Sequence, residues 1–140
     1  INQTIDLGEA KERDLTIYFP VIIETRNIEI SVTEGSTVQE HKNDYEGNGR
    51  IVFYGNSITQ GGSANKPGST YVNTTLRNLN RDFINLGTWG KCKGETAFAD
   101  YIANMDDISM LVMDYDGNES QASVLEERHY PFYKSSNYNK

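Results

Sequence analysis

Cysteine and histidine are scarce in this sequence. Cys92 stands alone, which excludes an intrachain disulfide. His41 and His129 are the only histidines in 140 residues, so chemistry that needs an imidazole base has little to draw on. Long apolar runs are missing too. None approaches the roughly 20 residues that a membrane span requires, and no signal-peptide pattern follows Ile1. Basic residues are outnumbered, with Lys+Arg at 13 against Asp+Glu at 20 and a formal net charge of −7. Such a chain has no basic stripe to neutralise a run of phosphates, and anionic lipid repels it. Neither nucleic acid nor a membrane surface is expected as a partner. The lack of disulfides suits a soluble protein inside or outside the cytoplasm, so localisation stays open.

What is present suits one folded domain with an added segment. Hydrophobic residues make up 36% and aromatics 11%, mostly tyrosine, which argues against disorder. The first third reads as β structure. Leu15, Ile17 and Phe19 alternate with Thr16 and Tyr18, and Ile28, Ile30 and Val32 alternate with Glu29 and Ser31. This period of two predicts antiparallel strands with one buried face, with Ile5 and Leu7 opening another and Pro20 at a turn or edge. Glu34 to Arg50 is rich in Gly, Asn and Asp and reads as a linker.

The pattern then changes. Ile51-Val52-Phe53-Tyr54 is a continuous apolar run closed by Gly55, as in a strand buried on both faces. Phe83-Ile84-Asn85-Leu86 and Ile108 to Tyr115 predict two more strands. Helices are predicted near 70–80, 95–105 and 121–133, with Ser69 or Thr70 capping the first and Ser123-x-x-Glu126 forming a capping box for the last. Strand–helix alternation implies a parallel sheet covered by helices. The polar tail Ser135 to Lys140 is expected to fray.

In such sheets ligands bind beyond the carboxyl ends of the strands. Three loops fall there: Gly55-Asn56-Ser57-Ile58-Thr59-Gln60-Gly61, Asn85-Leu86-Gly87-Thr88-Trp89-Gly90, and Asp114-Tyr115-Asp116-Gly117-Asn118. A Ser57 hydroxyl two residues past a strand suits attack on an acyl carbon. The Ser57 amide, a glycine amide of the second loop and the Asn118 side chain are the donor types an oxyanion needs. Equally, Ser57 and Asn118 read as helix caps or turn residues. The glycines match neither a phosphate loop nor the G-x-S-x-G elbow.

These three loops resemble, in order, the first three motif blocks of SGNH/GDSL serine hydrolases, over about Arg50 to Phe132. The resemblance implies a flavodoxin-like three-layer α/β/α fold with a parallel sheet, here incomplete. Residues 49–140 would be the front of the catalytic domain. Residues 1–48 would be an accessory β segment and linker, similar to the accessory β-sandwich of some carbohydrate-esterase-like members. It makes Ser57 the nucleophile, with Gly90 and Asn118 completing the oxyanion hole. It implies no cofactor and a small-molecule or carbohydrate ester as substrate.

Two departures stand out. Asn56 replaces the usual Asp or Ser, and no Asp-x-x-His fourth block occurs. Glu126-x-x-His129 imitates that block, but within a predicted helix, where a surface histidine is the plainer reading; His41 falls in the linker. A second chain or fragment is therefore expected to supply the histidine. The alternative is a non-catalytic carbohydrate- or ligand-binding module that keeps the loops and lacks the base. Asp106, Asp107, Asp114 and Asp116 cluster in sequence but read as turn residues rather than metal ligands. Trp89 suits either a sugar-binding rim or packing. Cys92 has no base partner in sequence.

Overall fold

The computed structural model describes residues 3–42 and 44–136. Its centre is a three-stranded sheet of β1 (Arg50–Gly55), β2 (Phe83–Asn85) and β3 (Ile108–Asp114), in the order β2-β1-β3. Both pairings are parallel, with Ile51 opposite Phe83 on one side and Tyr54 opposite Met113 on the other. Among the described residues there are four α-helices: α1 (Ser57–Gln60), α2 (Tyr71–Asn78), α3 (Thr96–Ala103) and α4 (Ala122–Ser136). None of them is long and apolar enough to cross a membrane.

β1 is flanked on both edges, and Ile51 to Tyr54 are all buried, which is why the run is apolar throughout rather than alternating. Its side chains divide between two cores. Val52 and Tyr54 join Cys92, Ala99, Ile102, Tyr115 and Phe132 on the α3 and α4 side. Ile51 and Phe53 join Val72 and Leu76 of α2 on the other. The result is three layers, α/β/α. Tyr54 is the largest fully buried side chain, stacked on Phe132 with centroids 4.5 Å apart. Its hydroxyl donates to Glu95 Oε2 at 2.7 Å and accepts from the Gly94 amide at 2.8 Å, so its polar end is satisfied.

Helix starts follow local chemistry. Thr70 caps α2 by accepting from the Asn73 amide at 3.1 Å. The capping box expected at Ser123 is not used. Ser123 already lies inside α4, and the chain enters the helix from Gln121, whose carbonyl accepts from the Val124 and Leu125 amides. Glu119 braces that entry by accepting from the Gln121 amide at 3.1 Å. Ser135 and Ser136, expected in a frayed tail, finish α4, with Ser136 Oγ donating to the Tyr133 carbonyl at 3.0 Å. The rest of that tail, Asn137 to Lys140, lies outside the described residues, as does Asn43 of the expected linker.

The antiparallel strands expected before residue 49 are a correction. The described residues of that segment form no strand, and Leu15, Ile17, Phe19, Ile28, Ile30 and Val32 are all exposed. Alternation specifies which face a strand would bury. It does not supply the neighbour whose backbone completes the ladder, and here no described strand pairs with the segment.

Candidate active site

β1 delivers the chain to the site. The Asn56 amide continues the ladder by donating to the Asp114 carbonyl at 2.9 Å. Its Oδ1 then turns back to accept from the Ile58 amide at 2.8 Å, capping α1 and placing Ser57 at the first helical position. Ser57 is half-buried, and its hydroxyl has no hydrogen-bond partner among the described residues. First-turn amides lack acceptors within their own helix, so the Ser57 N–H is a free donor by construction. α1 ends at Gly61, whose φ of 106° is the left-handed value that glycine takes without strain.

The second loop folds against α1. Thr88 N–H donates to the Gly55 carbonyl at 3.0 Å, Trp89 N–H to Gln60 Oε1 at 2.8 Å, and Lys91 N–H to the Thr88 carbonyl at 3.3 Å. The Gly90 amide, in their midst at a φ of 65°, has no acceptor among the described residues. Asn118 comes from the short 3-10 turn Asp116–Asn118 after β3. Its Nδ2 donates to the Thr88 carbonyl at 3.3 Å and the Cys92 carbonyl at 3.1 Å, clasping the turn that bears Gly90. Beside it, a Cβ at Gly117 would lie 3.2 Å from Asn56 Nδ2. The three loops therefore share one rim, with Asn118 on the Gly90 turn and Gly117 against the residue preceding Ser57. Asn118 is committed to carbonyls of the turn, whereas Ser57 and Gly90 carry the open amides.

A buried polar node below the rim was not foreseen from sequence. Thr59, fully buried, donates to Asp114 Oδ2 at 2.8 Å and sits 3.0 Å from the Tyr71 hydroxyl. Burial, with the Asp114 charge in support, raises the Tyr71 phenol above its ordinary value. The pair Thr59 and Asp114 could be anticipated only as residues at adjacent strand ends, because their contact spans 55 positions.

The remaining candidates lie elsewhere. His129 on α4 stacks on Tyr115, centroids 5.8 Å apart, with Nδ1 3.1 Å from the Tyr115 hydroxyl. Together with Met113, Asp116 and Leu125 they line a groove of about 410 Å³. His41 pairs with Asp14 at 2.9 Å, both exposed. Cys92 is fully buried with Sγ 3.3 Å from the Leu86 carbonyl, and burial raises its thiol above the ordinary value, away from thiolate chemistry. The aspartates that cluster in sequence are divided by β3: Asp106 and Asp107 precede it, Asp114 and Asp116 close it, roughly 20 Å of strand apart. Trp89 is 66% exposed at the rim.

Residues 48–136 match the model of the GDSL-like Lipase/Acylhydrolase family. A solved structure from Bacteroides ovatus, described as a GDSL-like lipase, is 30% identical, with a TM-score of 0.68. The match covers 75% of this chain and 30% of that one, so the chain spans under a third of that structure's length. No curated protein matches. With the family model covering well over half of its residues, from just before β1 to the end of α4, the chain belongs to the GDSL-like lipase/acylhydrolase family.

Proposed function

We infer that this chain carries the nucleophile and the oxyanion-binding rim of a serine-dependent hydrolase of small acyl esters. The observation that carries the reading is the pair of open amides: Ser57 at the head of α1, and Gly90 held among tied neighbours. In this reading Ser57 Oγ attacks the acyl carbon while a base takes its proton. The developing oxyanion accepts from the Ser57 and Gly90 amides, and Asn118 joins them by exchanging its 3.3 Å bond to the Thr88 carbonyl. Collapse of the intermediate expels the alcohol, and water then releases the acid. The base is a histidine supplied by a further segment or a second chain, because His129 and His41 are engaged with Tyr115 and Asp14. Exposed Trp89 beside Gly90 favours an O-acetylated carbohydrate, whose ring faces can stack on an indole.

The engagement of both histidines also favours a second reading, a ligand-binding module that keeps the rim without a base. One assay separates the two. The chain is incubated with an activated acetyl ester, alone and with fragments carrying an Asp-x-x-His, beside Ser57→Ala. Slow turnover that is lost in Ser57→Ala and rises with a histidine-bearing fragment supports the hydrolase. Parent and Ser57→Ala turning over at the same rate under every condition, with acetylated sugar still bound, supports the module.

A further inference from the structure

Of the described residues in 3–42, all are exposed but three: Arg13, Tyr18 and Val21. Tyr18 and Val21 meet the family domain at one place, beside the nucleophile loop. The Tyr18 hydroxyl accepts from Arg77 Nη1 at 2.9 Å, and the same guanidinium lies 5.7 Å over the tyrosine ring. The ring rests on Gly68, where a Cβ would come within 2.9 Å of it. Val21 lies over Gly61, whose Cβ would sit 3.4 Å from Val21 Cγ1. The Val21 carbonyl accepts from Gln60 Nε2 at 2.9 Å. The other end of that amide, Oε1, accepts from the Trp89 N–H at 2.8 Å. One side chain, three residues past Ser57, thus joins the N-terminal strap to the turn that carries Gly90.

We propose that Gln60 is a positioning residue that couples the Tyr18–Val21 strap to the Thr88–Cys92 turn and thereby aims the Gly90 amide at the nucleophile; the aim at Gly90 rests on the reading of Ser57 and Gly90 given above. The side chain suits the task chemically. A primary amide offers a donor and an acceptor on separate atoms, whereas a carboxylate only accepts and an ammonium only donates. A flipped amide would set NH2 against the Trp89 N–H and Oε1 against the Val21 carbonyl, so the strap selects the orientation that serves the turn. The hydrogen bonds of Thr88 and Lys91 anchor the turn on either side. The Trp89 amide is its tie to the side chain of α1, and the peptide that follows belongs to glycine, where no Cβ restrains rotation.

The test compares the parent chain with Gln60→Met, which removes both bonds, and Gln60→Glu, which keeps an acceptor for Trp89 but opposes the Val21 carbonyl. Trp89 is the only tryptophan, so its fluorescence reports the turn, and amide exchange at Trp89 reports the bond itself. In Gln60→Met, exchange at Trp89 is expected to rise about tenfold, the equivalent of one hydrogen bond, with a shifted emission. In Gln60→Glu, exchange at Trp89 stays near the parent's while residues 18–21 become more sensitive to protease. Unchanged exchange at Trp89 in Gln60→Met, with circular dichroism showing a folded chain, overturns the coupling. If Gln60→Met does not fold, Tyr18→Ala replaces it by freeing the strap alone, and an unmoved Trp89 emission there overturns the coupling too. Where the parent hydrolyses ester through Ser57, Gln60→Met is expected to lower kcat about tenfold with KM little changed; an unchanged kcat overturns the link to Gly90. A parent without Ser57-dependent turnover even beside a histidine-bearing fragment defeats the hydrolase reading instead, and the exchange data alone then decide the coupling.

Discussion

Thr59 donates to Asp114 at 2.8 Å from a fully buried position, joining α1 within the nucleophile loop to the end of β3. The bond fixes the height of α1 relative to the third loop. Gly55 makes room for it, because a Cβ there would collide with the Thr59 side chain.

Thr59→Val keeps the shape of that side chain and removes the donor. The part-buried Asp114 carboxylate then loses a partner, a change of about 1.5–3 kcal/mol for hydrogen bonds to charged groups. Urea denaturation is expected to show that loss, with Thr59→Ser recovering most of it. A Thr59→Val chain as stable as the parent would mean that water replaces the hydroxyl.

Asn118→Ala unties the Gly90 turn and removes one proposed oxyanion donor together. The reaction of Ser57 with an activated ester or an organophosphonate is expected to slow by about 10²-fold, the scale seen when one such donor is deleted. Asn118→Asp should do no better, since it turns a carboxylate toward the Thr88 and Cys92 carbonyls. Labelling rates followed by mass spectrometry check both.

His129→Ala is expected to leave that labelling rate where it was. It removes the ring stacked on Tyr115, and aromatic pairs of this kind contribute about 0.5–1.5 kcal/mol, so the thermal midpoint should fall while reactivity does not. A His129→Ala chain that loses Ser57 reactivity at unchanged stability would instead make Glu126-x-x-His129 the missing fourth block.

Glu95 gives the fold an acid limit. Burial pushes its carboxyl up, but the donors from Lys93 N–H and the Tyr54 hydroxyl outweigh that and hold it below the ordinary value. A carboxylate depressed in the folded state stabilises fully above its unfolded pKa, about 4.3, and that contribution is lost as pH falls through the lower folded value. Tyr54→Phe removes one of the two donors. The midpoint is expected to drop at neutral pH and to depend less steeply on pH below about 4.3. Thermal melts across that range read both effects.

Much of the fold was legible because the central strand is buried on both faces. Ile51 to Tyr54 read as a strand closed by Gly55, and the first two predicted helices follow from the spacing of Tyr71, Val72, Leu76 and Leu79 and of Phe98, Tyr101, Ile102 and Met105. The N-terminal alternation was legible as a pattern and misleading as structure, since Leu15, Ile17 and Phe19 have no strand beside them. α1 escaped notice because four residues carry no periodicity, and what makes it a helix is the Asn56 cap. At the site, the three loops could be named from strand ends. Their ties could not, because Gln60 to Trp89, Asn118 to Cys92 and Thr59 to Asp114 join positions 26 to 55 apart.

Of the three described strands, the one at the middle of the sheet is also the first to be made. Ile51 finds Phe83 only 32 positions later, and Tyr54 finds Met113 only 59 later. A ribosome adding roughly 5–20 residues each second holds the apolar run Ile51–Tyr54 without its second neighbour for several seconds. During that interval it is a sticky, unpaired strand. The nascent chain's exposure to aggregation or to chaperones is therefore written into the order β2-β1-β3, and it is greatest before β3 has been synthesised.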